Sequence, residues 1–224
     1  MKLYFPYKLL LFTALLGMSG LVSAAVTEQV RELQHEWAQI KYQLPEKEQE
    51  SAFKKLADEA DKVTEAQKGN AEVLVWNGII LSTYAGVKGG LGALSLVKKA
   101  RTLFEQAIAI DPTVLQGSAY TSLGSLYYQV PSWPIGFGDD DKAQEYLTKG
   151  LEINPDGIDS NYFYGDFLMK QGDYTRAEEA FNKALHAPAR EGREVADQGR
   201  RMEIEQAMTK LKTQMANAGK KASL

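Results

Sequence analysis

Apolar residues recur at helical spacing along almost the whole of this chain. Val30, Leu33, Trp37 and Ile40 share one face of a helix that Pro45 stops, and Phe53, Leu56, Ala60 and Val63 form a second stripe. Three later stretches carry a common signature: an alanine, a large apolar residue four positions on, a small residue three beyond that, then a proline. They are Ala100, Phe104, Ala107 and Pro112 in KARTLFEQAIAIDP, then Ala143, Leu147, Gly150 and Pro155 in KAQEYLTKGLEINP. The third is Ala177, Phe181, Ala184 and Pro188 in RAEEAFNKALHAP, where the proline comes one residue early. Each signature follows a helical segment that carries a glycine: Gly78, Gly124 or Gly165. Small residues let two helices approach closely, large ones fill the space between them, and proline stops the second helix. One such hairpin cannot bury its apolar face alone, so hairpins stack. Ile204, Met208, Leu211 and Met215 mark one last amphipathic helix.

These residues resemble the tetratricopeptide repeat (TPR), whose pattern asks for Leu-Gly, a tyrosine three further on, then alanine, aromatic, alanine and proline. Leu123-Gly124 with Tyr127 matches its first half, and Gly165 to Ala177 has its normal spacing. The resemblance implies an all-α, TPR-like solenoid of antiparallel helix hairpins with a C-terminal capping helix. A single domain over residues 25–217 would comprise a degenerate hairpin at 27–67, repeats at about 72–112, 117–155 and 158–188, and a capping helix at 194–217. Residues 218–224 read as a frayed, disordered tail. In this family the first helix of each hairpin lines a concave groove where ligands lie. By offset from the glycine, the groove would be lined by Glu72, Val75, Ile79 and Ser82, then by Ser118, Thr121, Ser125 and Tyr128, then by Asp159, Tyr162, Asp166 and Met169. Glu72, Thr121, Ser125, Tyr128, Tyr162 and Asp166 are the candidate contacts. Such a lining suits a polar or cationic ligand or an extended peptide; the alternative is a groove filled only by solvent.

Two repeats depart from the pattern at the same place. Gly78 to Ala100 and Gly124 to Ala143 span 22 and 19 residues, against 12 for Gly165 to Ala177. Equivalent turns of a stacked solenoid lie along one edge, so the two insertions are expected to be neighbours. The first, from Gly86 to Ala93 with Lys88, Gly89 and Gly90 at its centre, reads as a glycine-rich loop running into a helix. It offers either backbone amides to an anion or a tight turn built on glycine torsions. The second, Val130 to Gly138 with Trp133, Pro134 and Phe137, is apolar and stiff. Its aromatics either plug the solenoid edge or present a contact surface. Asp139 to Asp141 follow as a helix cap.

Composition changes the picture mainly at the N-terminus. Lys2 and Lys8, the apolar run Leu9 to Leu16 and the small residues Val22-Ser23-Ala24 read as a secretory signal over residues 1–24. The expected location is periplasmic or otherwise exported, with a soluble mature chain. There is no cysteine, so packing alone must hold the fold. The 26 basic and 29 acidic residues give a mildly acidic chain with no electrostatic reason to bind nucleic acid or an anionic membrane. Catalytic signals are poor, and no cofactor, metal site or enzyme activity is expected. There is no Gly-x-Ser-x-Gly, and Ser95-x-x-Lys98 lacks companion motifs. His35 and His186 lie at opposite ends of the chain. Arg190, Arg193, Arg200 and Arg201 form a basic cluster, with Glu191, Glu194 and Glu203 as expected partners.

GSAYTSLGSLYY, SWPIGFGD, NPDGIDSNYFYGDFL and APAREGREVADQGRRMEI, spread over residues 72–206, are also similar to exported TPR proteins grouped with the T-component of TRAP transporters. That resemblance implies a periplasmic accessory that forms a ring-like trimer and binds a protein or small ligand for substrate import. Two functional expectations follow: a scaffold for a protein or peptide partner, using groove and inserted loops, or a small-ligand-binding accessory of a TRAP-type system.

Overall fold

A computed structural model describes the backbone of residues 15–222 and the side chains of residues 28–218. Its helices are α1 (Leu15–Gln43), α2 (Glu46–Ala66), α3 (Ala71–Lys88), α4 (Gly90–Ile110), α5 (Val114–Gln129), α6 (Asp140–Ile153), α7 (Ile158–Gln171), α8 (Tyr174–Leu185) and α9 (Glu194–Ala222). Among the described residues there is no strand, only an isolated bridge between Ser132 and Gly138. Consecutive helices pair as antiparallel hairpins, and the pairs stack in chain order. This is a TPR-like α-solenoid.

The repeated signature is a knob and a hole. A Cβ placed on Gly78 would lie 2.5 Å from the Phe104 ring, one on Gly124 2.7 Å from Leu147, and one on Gly165 2.9 Å from Phe181. The glycine of each first helix therefore receives the large residue of the second. Ala100, Ala107, Ala143, Ala177 and Ala184, which flank those knobs, are fully buried. Burial of each aromatic or leucine knob contributes about 1.5–3 kcal/mol. Helix starts are fixed locally, because the side chains of Asn70, Asp139 and Asp173 accept from the amides of Glu72, Lys142 and Arg176.

The first insertion is not a loop. Its residues lengthen both helices of the repeat, so that α3 and α4 have 18 and 21 residues against 14 and 12 for α7 and α8. Val87, Ala93 and Leu94 pack half-buried on the core, which keeps a glycine-rich stretch helical. Only Gly89 and Gly90 break the path, with φ of 63° and 60°, a left-handed turn that suits glycine.

The C-terminal helix also differs from expectation. α9 runs through the supposed tail to Ala222, because Ala216, Ala218, Lys220 and Lys221 sustain a helix that only Gly219 weakens. It touches α7 and α8 as a capping helix should, and it also touches α1. The first and last elements of the solenoid thus meet. The leader assigned to residues 1–24 falls outside the described side chains; of its backbone only residues 15–24 are described, as the first turns of α1. No helix among the described residues is long and apolar enough to cross a membrane.

Candidate functional site: a groove flanked by the C-terminal helix

Three of the expected groove residues come together. The Tyr128 hydroxyl, on α5, donates to the Asp166 carboxylate on α7 at 2.7 Å and accepts from Gln129 at 3.1 Å. Burial and the neighbouring Asp166 hold the Tyr128 phenol well above its ordinary value. Tyr162, one turn before Asp166 on α7, is pushed up to about 12, chiefly by burial, against the lowering effect of Arg200.

The other expected contacts lie elsewhere. Thr121 is turned onto α6, where a Cβ on Gly150 would fall 2.5 Å from its hydroxyl oxygen, so it belongs to the packing inside its own hairpin. Ser125 is buried and donates to the Ser122 carbonyl. Val75 and Met169 are buried as well. Glu72 sits at the N-terminus of α3, its amide tied to Asn70. These positions do not form one open channel.

α9 covers part of the groove, lying against α7, α8 and α1. Arg200 is nearly buried and donates to Asp159 at 2.8 Å and to Glu203 at 2.5 Å, with its guanidinium 4.4 Å from the Tyr162 ring centroid. Arg190 donates to the same Asp159 at 2.7 Å and to Asp197. Burial alone would raise the Asp159 carboxyl, but Arg200 and Arg190 outweigh it and hold the group well below the usual carboxylate range. Arg193 lies 4.8 Å from the Trp76 ring centroid. Burial and the nearby Arg190 push it down to about 10. On the far side, Glu203 accepts from Tyr42 at 3.2 Å and pairs with Lys41 at 3.3 Å. Gly199 fits flat against the Tyr42 ring, 2.3 Å from a notional Cβ. The arginine cluster therefore pairs with Asp159, Asp197 and Glu203 rather than with Glu191 and Glu194, and Arg201 donates to the Ala187 carbonyl. Asp159 was a groove position in the sequence; its partners lie 31 and 41 residues further on.

Beyond this latch a cavity of about 520 Å³ remains between α5, α7, α8 and α9, lined by Tyr128, Gln129, Asp166, Met169, Lys170, Tyr174, Lys210 and Gln214. Lys210 and Gln214 come from α9 and were not among the expected contacts.

The inserted segments behave differently from one another. Lys88 is engaged with Glu50 and Tyr84, and the Gly89 amide donates to Ala85, while no side chain caps the start of α4. In the second, Phe137 faces inward, edge-on to Tyr127 at 5.5 Å, with the Arg101 guanidinium of α4 4.5 Å from its ring centroid. Tyr127 in turn stacks on Tyr146 at 5.6 Å. The loop is closed by Gly138 donating to Pro131 and Asp139 donating to Tyr127. Trp133 and Ile135 point the other way, 86% and 65% exposed, with Pro134 exposed between them. The two aromatics thus part ways, Phe137 filling the loop's base and Trp133 standing in solvent. Through Arg101 the loop meets α4, the helix lengthened by the first insertion.

Residues 135–197 match the tetratricopeptide-repeat family model. That segment holds the end of the exposed loop, α6 to α8 and the start of α9. A crystal structure of MamA is 20% identical, with 78% of this chain and 93% of that chain covered and a TM-score of 0.43. A structure of Pseudomonas aeruginosa pilF is 13% identical, with 82% and 92% covered and a TM-score of 0.34. No curated protein matches the chain. The TPR fold characteristically serves as a scaffold for protein–protein interaction rather than as an enzyme. Among the described residues there is no group of histidines and carboxylates that could hold a metal ion.

Proposed function

We propose that this chain is an exported TPR scaffold that binds a protein partner through the apolar tip of the loop between α5 and α6. The observation that carries this reading is the outward pair Trp133 and Ile135 on a loop whose base is pinned by Phe137 and by backbone hydrogen bonds. Large apolar side chains held rigidly in solvent lose little conformational entropy on docking, and tryptophan is the residue most often found to dominate an interface. The concave groove, partly covered by α9, is a secondary surface. Export rests on Lys2, Lys8, the apolar run and Val22-Ser23-Ala24.

A photo-reactive residue at position 133 should crosslink to one protein of constant mass in the extract of the producing cell, and the same residue at exposed Glu152 should not. Binding of that purified partner should fall at least roughly tenfold in the Trp133→Ala, Ile135→Ser double variant, with the melting temperature unchanged. Unchanged binding by the double variant sinks the reading.

A second reading, a small-ligand-binding accessory of a TRAP-type importer, is favoured by the cavity at Asp166 and by the similar stretches within residues 72–206. Deleting the chain from its cell would then lower uptake of one substrate and leave the loop crosslink as a separate matter.

A further inference from the structure

The cavity beneath α9 contains one acid and one base that the protein itself does not pair. Asp166 takes a hydrogen bond from Tyr128, but among the described residues no cation lies within ion-pairing distance of it. Lys170, the nearest candidate by sequence, is already committed to Asp140 at 3.0 Å and to the Tyr128 carbonyl at 2.7 Å. Lys210 enters the same cavity from α9 and likewise has no carboxylate partner among the described residues. Tyr128, Tyr174, Met169 and Gln214 line the same cavity.

The acid is oriented by a buried phenol and the base is carried by a different helix across a cavity of about 520 Å³. We propose that this cavity binds a small zwitterion of the free amino acid class. Its ammonium is read by Asp166, its carboxylate by Lys210, and its side chain by Met169 and the tyrosine rings. The carboxylate and the opposed lysine balance the two charges of the ligand with charge-assisted hydrogen bonds. A pocket of a few hundred Å³ with a few convergent polar groups has room for such a ligand. The inference deepens the small-ligand reading and is independent of the loop. Because Lys210 and Gln214 belong to α9, the C-terminal helix forms one wall of the site.

Isothermal titration of the purified chain with each free L-amino acid tests this. The tightest binder should then be offered in two capped forms, N-acetylated and C-amidated. Each cap should weaken binding at least about tenfold, the loss expected for one charge-assisted hydrogen bond. Asp166→Asn should weaken the free amino acid as acetylation does, and Lys210→Ala as amidation does. Each substitution should also make the chain indifferent to its matching cap. The inference is overturned if no free amino acid binds, if the N-acetyl form binds as well as the free one, or if either substitution leaves affinity unchanged. Lys210 is exposed, so loss of fold does not confuse that arm. Binding with all these signatures, but with no effect of deleting the chain on cellular uptake, would reject the transporter role and keep the site.

Discussion

At the scale of single residues, the fold rests on three glycine-to-knob contacts. Phe104→Ala should cost about 3–5 kcal/mol, since the ring is fully buried and its hole cannot close. Gly124→Ala should cost about 1–3 kcal/mol even though alanine favours helix, because a Cβ there meets the Leu147 backbone amide at 2.9 Å. Urea unfolding followed by circular dichroism measures both. These contacts were legible in the sequence because each is signalled by residue type at fixed spacing. The placement of Thr121 was not. An offset rule carried from an ordinary repeat put it in the groove, whereas the near contact with Gly150 holds it inside the hairpin. Asp159 carries a pH signature. Its folded-state value is depressed by Arg200 and Arg190, so the stabilisation is present above the unfolded value near pH ~4 and is lost as pH falls further. About a third of its side chain stays exposed, which screens the pair and keeps the effect modest. The acid limb of the stability profile should flatten in Asp159→Asn, read by thermal melting between pH ~2 and ~5.

At the scale of elements, composition misled where packing won. The stretch from Gly86 to Ala93 looks like a loop by its glycines, yet two of them, Gly86 and Gly92, sit within helices while Gly89 and Gly90 make the turn. Replacing Gly89 by alanine should destabilise the chain by more than the ~0.4–1 kcal/mol that the same change contributes where φ is negative, because φ is +63° there. Urea denaturation gives that difference directly. The loop from Val130 to Gly138 followed its composition, being apolar and stiff, but which aromatic faces inward depends on Arg101 and Tyr127, whose approach no local pattern encodes. The latch of α9 was the least legible element. Its arginines were visible as a cluster with Glu203 beside them, but the partner that Arg190 and Arg200 share, Asp159, lies on α7, 31 and 41 residues away.

At the scale of the whole molecule, contact between α1 and α9 changes how the repeats depend on one another. An open solenoid is held by neighbours only, so its ends fray independently of its middle. Here Tyr42, Glu203 and Arg200 tie both ends to α7, and the chain should unfold in one transition by both tryptophan fluorescence and far-ultraviolet circular dichroism. Arg200→Ala should separate the two signals, with the C-terminal end lost at lower urea. Coincident transitions in that variant would mean that the latch does not couple the ends.

The fit of Gly199 against Tyr42 has a further meaning for a chain that emerges from the ribosome N-terminus first. The first hairpin must wait for almost the last helix before its inner face is covered. A product ending before residue 194 would carry every repeat and still leave Tyr42 and Tyr162 without α9 over them. Synthesis as far as α9 is thereby written into the surface. A chain that includes α9 covers those rings, and one cut before it displays them to whatever protease or chaperone surveys unfinished proteins.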